Sequence, residues 1–144
     1  MSGKRFEFDG SIVERGDQQF VSGRGVYGDG YTRIHRIEPH GFMSNPIQGA
    51  KGLLIAPNGN PDEAYVLGGE HPGKRPAGMP GGATAIYDAN GNIISLVGNK
   101  IRLVAPVFEF VGNLTIEGDL DVTGSIHATG TIIDEAGNTN HHTH

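Results

Sequence analysis

Three histidines, His141, His142 and His144, crowd the end of the 144-residue sequence in the run GNTNHHTH. Neutral imidazole is a ligand for iron, nickel, copper and zinc. The run is broken by Thr143, unlike the unbroken His runs of purification tags. In extended backbone, residues two apart point to the same side, so His142 and His144 share a direction and His141 faces away as a solvated residue. Around a threefold axis, three copies of this pair would bring six imidazoles to one point. Six nitrogens suit an octahedral ion, and zinc prefers four ligands and copper a tetragonal field, so iron or nickel fits best. On residue types alone, this reading stands level with a solvent-exposed tail.

What could hold such a tip lies just upstream. From Gly112 the sequence falls into sixes, GNLTIE, GDLDVT, GSIHAT and GTIIDE, with Gly112, Gly118, Gly124 and Gly130 at a fixed period. Such self-similarity marks a repeat architecture. The third positions are Leu114, Leu120, Ile126 and Ile132, and the fifth are Ile116, Val122, Ala128 and Asp134. Each hexad thus offers an apolar stripe, a polar stripe and a glycine at the corner. Phe108 and Phe110 keep this phase, whereas Ile101, Leu103 and Ala105 are out by one residue, and Pro106 marks the break. Four hexads make little more than one coil of a β-helix, and repeats generally need about three stacked units. Three chains around an axis would bury the stripe, so the pattern predicts a homotrimeric β-helix or prism.

Before Val97, short runs rich in β-branched and aromatic residues alternate with Gly, Asn and Pro, the mark of hairpin-linked strands. RFEFDGSIV, QQFVSG, YTRIHRIEP, KGLLIAP, EAYVLGG, TAIYD and NIISLV are the expected strands, and the Asn90-Gly91 pair is expected to form a tight hairpin with positive φ at both positions. GGEHPGKRPAGMPGG reads as a long loop, and helix is nearly absent. The expected fold is all-β: a small OB-like β-barrel at 27–97 followed by a homotrimeric intertwined β-helix or prism spike at 98–144. Residues 1–26 are without a clear assignment.

Composition narrows the function. Glycine, at 24 residues, is about twice its usual ~7% share, and the 36% hydrophobic content is low for a globular domain, which points to partners or self-association. No cysteine is present, so any metal must use His or oxygen. The net charge of −5 and the lack of a basic run argue against nucleic acid as partner. The N-terminus lacks the apolar core of a signal peptide, which predicts a product that starts out soluble in the cytoplasm. Gly68 to Lys74 has phosphate-loop spacing, but Arg75 stands where Ser or Thr would bind magnesium, and Pro72 and Pro76 forbid the helix that must follow. His35, His40 and His71 have no nucleophile or carboxylate at a telling spacing, so no catalytic constellation emerges. The Phe and Tyr residues fall mostly in strand patterns and read as core.

The hexads and terminal His-x-His, behind EPHGFMSNPIQGAKGLLIAPNGN and YDANGNIISLVGNKIRLVAP, resemble the central spikes of contractile-tailed bacteriophages, the baseplate assembly protein V and Mu-like group. The resemblance covers roughly residues 30–144. It implies a barrel that mounts the spike on baseplate hub proteins, a trimeric shaft, and one iron per trimer held by six His ligands, here His142 and His144 of each chain. Calcium and chloride near the apex are a further expectation, with Asp134 and Glu135 as the available carboxylates. So read, the chain is a non-enzymatic virion protein of the tail baseplate tip, assembled in the host cytoplasm, that pierces but does not reside in the bacterial outer membrane. Two alternatives stay open: the spike of a related contractile secretion system, and a fragment of a hexapeptide-repeat β-helix acyltransferase.

Overall fold

The computed structural model describes residues 2–133 and 135. These divide after Val107 into two compact units.

The first unit contains eight strands: β1 (Ser2–Arg15), β2 (Gln18–Gly25), β3 (Gly30–Arg36), β4 (Lys51–Ala56), β5 (Tyr65–Glu70), β6 (Thr84–Tyr87), β7 (Ile93–Val97) and β8 (Lys100–Val104). The two helical elements among the described residues are single 3₁₀ turns at Pro57–Gly59 and Pro61–Glu63. Every strand expected from the sequence is present. The chain is therefore all-β.

Strands β1 to β5 close a barrel in the order β1-β2-β3-β5-β4, with β4 returning to β1. All contacts are antiparallel except the short parallel pair β3–β5. Closure depends on β1, whose first half pairs with β4 from Ser2↔Ala56 to Glu7↔Lys51 while β2 pairs with it from Phe6↔Gly25 to Arg15↔Gln18. One strand serves two neighbours because it bends where its register with β2 shifts, between Phe8 and Ile12, around Gly10 at φ 90°. Residues left unassigned by the sequence thus supply two of the five barrel strands, and the barrel occupies Ser2–Glu70 rather than 27–97.

Alternation fills the interior. Phe6, Phe8, Val21, Leu54 and Val66 are almost wholly buried, joined by Ile34 and Ala56. The rings of Phe6 and Phe8 meet edge-to-face at 5.1 Å, and Tyr31 lies against Phe6 at 6.3 Å. Two glycines let these rings fit. A β-carbon on Gly23 would stand 2.1 Å from the Glu7 carbonyl oxygen and 2.6 Å from the Phe6 ring. One on Gly52 would stand 2.6 Å from the Leu67 carbonyl oxygen and 2.9 Å from Phe8. The core is built from large rings over bare backbone.

Strands β6, β7 and β8 form a separate antiparallel meander. The β6–β7 turn differs from the tight hairpin expected. It spans Asp88–Asn92, and positive φ occurs at Gly91 but not at Asn90. The reason is Asp88, whose carboxylate accepts from the amides of Asn90 at 2.8 Å and Asn92 at 3.0 Å and from the Asn92 side chain at 2.6 Å. An Asx-type arrangement thus replaces the primed turn.

The close contacts at Gly23 generate a prediction. Gly23→Ala forces backbone apart and should cost about 3 kcal/mol, the upper part of the overpacking range. Gly30→Ala, where nothing lies within 4 Å of a new β-carbon and φ is not positive, should stay within about 0.5 kcal/mol of the parent. Urea unfolding of the two variants measures the difference.

Candidate assembly surfaces

The second unit is described as far as residues 133 and 135. Three of the four hexad glycines, Gly112, Gly118 and Gly124, take nearly the same backbone conformation, φ 126°, 131° and 139°, and Gly130 is outside this positive-φ set. A sequence period has become a geometric one. Between these corners the apolar positions stand open, with Leu114, Leu120 and Ile126 exposed to 64%, 66% and 66%. Ile116, Val122 and Ile132 are exposed as well. No strand is assigned and no backbone–backbone hydrogen bond forms among described residues 105–133. Backbone that makes no ladder among the described residues has to find its hydrogen-bonding partners elsewhere. An exposed apolar stripe of this length is characteristic of an interaction surface.

A second apolar surface was not recognised in the sequence. In the meander, Ile86 pairs with Ile94, Ile94 with Leu103, and Leu96 with both Thr84 and Ile101. Cross-strand partners lie on the same face, so Ile86, Ile94, Leu96, Ile101 and Leu103 form one continuous surface, each residue exposed by 40% or more. The opposite face carries Ser95, Lys100 and Arg102 together with Ala85, Tyr87, Ile93, Val97 and Val104, whose apolar side chains are the less exposed. The one-residue phase change noticed at Ile101 and Leu103 marks this pairing with β7. Alternation within one strand does not reveal it, since IISLV is apolar at four of its five positions, and the face emerges only from the cross-strand register.

The barrel carries a third exposed apolar feature. Phe42 and Met43 are exposed to 65% and 74%, yet the loop that holds them is fixed. Arg36 enters the barrel wall from β3 and is buried. Its guanidinium donates to Gln19 Oε1 at 2.9 Å, Ser44 O at 3.0 Å, Ser44 Oγ at 2.9 Å and Gly68 O at 2.8 Å, and pairs with Glu38. The Ser44 amide donates to Glu38 at 2.8 Å, and Gln19 Nε2 donates to Ser44 O and Asn45 Oδ1. A buried charge so fully bonded holds its surroundings in place. Of the aromatic residues read as core, Phe6 and Phe8 are buried there, while Phe20 and Tyr65 lie on the outer face of the barrel wall and Phe42, Phe108, Phe110 and Tyr27 are exposed.

The remaining sequence candidates divide plainly. His142, His144, His141 and Asp134 lie outside the described residues, and Glu135 is exposed. Among the described residues no group of three or more His, Asp or Glu is arranged to hold a metal ion. His71 is bonded locally, its Nδ1 accepting from the Gly73 amide at 3.0 Å and its Nε2 lying 3.2 Å from Gln48 O. The Gly68–Lys74 stretch runs from the end of β5 into turns without a helix, so it does not form a phosphate loop.

Residues 10–73, under half of the chain, match the family model described as Bacteriophage Mu Gp45, N-terminal. That stretch is similar to the N-terminal domain of Mu Gp45. The match lies almost wholly in the barrel, from the bend of β1 to just past β5. No curated protein matches the chain. The Mu Gp45 likeness supports a structural protein associated with a phage tail baseplate.

The turn that joins β6 to β7 yields a pH prediction. The hydrogen bond from Asn92, aided by backbone amides, holds the Asp88 carboxyl below its usual range. A carboxylate with a depressed folded pKa contributes stability above its unfolded pKa, about 3.9, and loses it as pH falls through the folded value. NMR titration should therefore place the Asp88 midpoint below that of an unbonded aspartate. In Asp88→Asn, the Asn92 amide shift should no longer follow pH in that window.

Proposed function

We propose that the chain is the central spike of a contractile phage tail, a homotrimer whose shaft pierces the host outer membrane when the tail contracts. The observation that carries this reading is the stripe of Leu114, Leu120 and Ile126. It is exposed, set between glycines of matching conformation, and unpaired among the described residues, and it follows a barrel similar to that of Mu Gp45. Three chains around an axis would bury the stripe, supply the missing ladders and remove free strand edges. The apolar face of the meander extends the same demand upstream to Thr84–Val104. The role is mechanical and not enzymatic, and the family match favours a phage particle over an acyltransferase fragment.

At the tip, His142 and His144 of each chain would hold one iron per trimer. The donor chemistry fits, because two neutral imidazoles per chain give a six-nitrogen set from three chains. Such an ion would clamp a terminus that otherwise frays, which a needle has to avoid. Calcium near Glu135 and Asp134, and chloride beside it, belong to the same proposal.

Sedimentation equilibrium should return three times the 15.2 kDa chain mass. Leu120→Asp would bring three poorly solvated carboxylates together, at several kcal/mol per ion, and should abolish the trimer. A stable monomer at micromolar concentration defeats the shaft model. Metal analysis of untagged protein should find one iron per three chains, lost in His142→Ala/His144→Ala and kept in His141→Ala. The iron should also leave as pH falls through the histidine range near ~6.5, or lower if binding is tight, since only the deprotonated ligand binds. Iron retained by the double variant would show that the terminal histidines are not its ligands.

A further inference from the structure

The outer wall of the barrel carries a feature that lies outside the hexads and the meander. Phe20 on β2, His35 on β3 and Tyr65 on β5 are register partners in one row, with ring centroids 5.4 Å and 5.8 Å apart. The inward positions beside them are Val21, Ile34, Arg36 and Val66, so the row faces outward. His35 also lines a shallow groove of about 360 Å³ with Ile37 and Phe42, and Met43 stands next in the chain. The result is a continuous apolar and aromatic patch, rather than single scattered side chains. The loop at its border is rigid, because the buried Arg36 and Gln19 bind the Glu38–Asn45 segment at both ends. Large apolar side chains held out in one conformation form a pre-organised contact.

The charges around it decide what it can meet. A row of aromatics on an OB-like wall suits nucleic-acid bases when cations surround it. Here the grooves beside Phe42 and Met43 are lined by Glu14, Asp17, Glu38, Glu70 and Asp88, five carboxylates against the two cations outside the Arg36 network, Arg15 and Lys74. Phosphate would meet carboxylates. A second copy docking through the same face would set acid against acid. We infer that this patch binds a different protein chain, through an apolar surface of that chain bordered by Lys or Arg. The inference takes from the proposed function only the particle in which the partner is sought.

The chain has no cysteine, so Met43→Cys gives a unique thiol, and Tyr27→Cys, 85% exposed on the β2–β3 turn, gives a control. Each variant is labelled with a maleimide as free full-length protein and again in purified phage particles. The Met43→Cys thiol should react about tenfold more slowly in the particle, as expected where a contact excludes water, while Tyr27→Cys reacts equally in both. A thiol-to-amine cross-linker on Met43→Cys should then join a lysine of a different chain. Equal reactivity of Met43→Cys in both settings overturns the inference, as does a cross-link to another copy of this chain. So does tight, salt-sensitive binding of an oligothymidylate by the free protein. Phe42→Ser/Met43→Ser should sediment as the parent does yet fail to enter particles; loss of self-association in that variant would reassign the patch to a contact between copies. Absence of the unaltered chain from particles would instead remove the baseplate reading, and this inference with it.

Discussion

A peptide group needs a hydrogen-bonding partner, and where the chain finds that partner governs everything else in this molecule. In the barrel each strand pairs on both sides within one chain, because β1 bends at Gly10 to meet β2 and β4 together. The barrel therefore closes on a small core of two phenylalanines and a few aliphatic side chains. Past Val104 the described residues up to 133 form no strand and no ladder among themselves. The same covalent backbone is thus self-sufficient in one region and dependent in the other. The Mu Gp45-like match falls in the self-sufficient region.

Apolar side chains follow the same division. Inside the barrel they reach full burial by packing over Gly23 and Gly52, where backbone replaces side chain. Along the meander and the hexads they are exposed, with no cover among the described residues. The low hydrophobic content noticed in the sequence is therefore shared between a compact core and surfaces open to other molecules. Arg36 works against this trend, since a buried charge holds outward-facing Phe42 and Met43 in place.

Strands were legible in the sequence because period-two alternation and Gly or Asn punctuation are local signals, and each expected strand from RFEFDGSIV to NIISLV is found. The closure was not legible. It depends on pairing between Ser2 and Ala56 and between His35 and Tyr65, contacts across long sequence distances that no local pattern specifies. The turn at Asn90-Gly91 departs from the dipeptide preference because an Asp two residues earlier competes for the same amides, a side-chain effect that outweighs it. The hexad stripe was fully visible, since its signal is repetition. The face made by Ile86, Ile94 and Leu103 was not, because a face spanning three strands needs a register that single-strand alternation does not contain. The terminal histidines were legible as donors only through residue type and spacing.

The matching conformations of Gly112, Gly118 and Gly124 make the hexad a unit of construction. Adding or removing a whole unit leaves every later residue on the face it had before, so a shaft of this kind can change length over evolutionary time without redesign at either end. An insertion of any odd number of residues would instead turn the stripe outward from that point on. Such shafts are therefore expected to differ among relatives by sixes, with the barrel before them and the tip after them left intact.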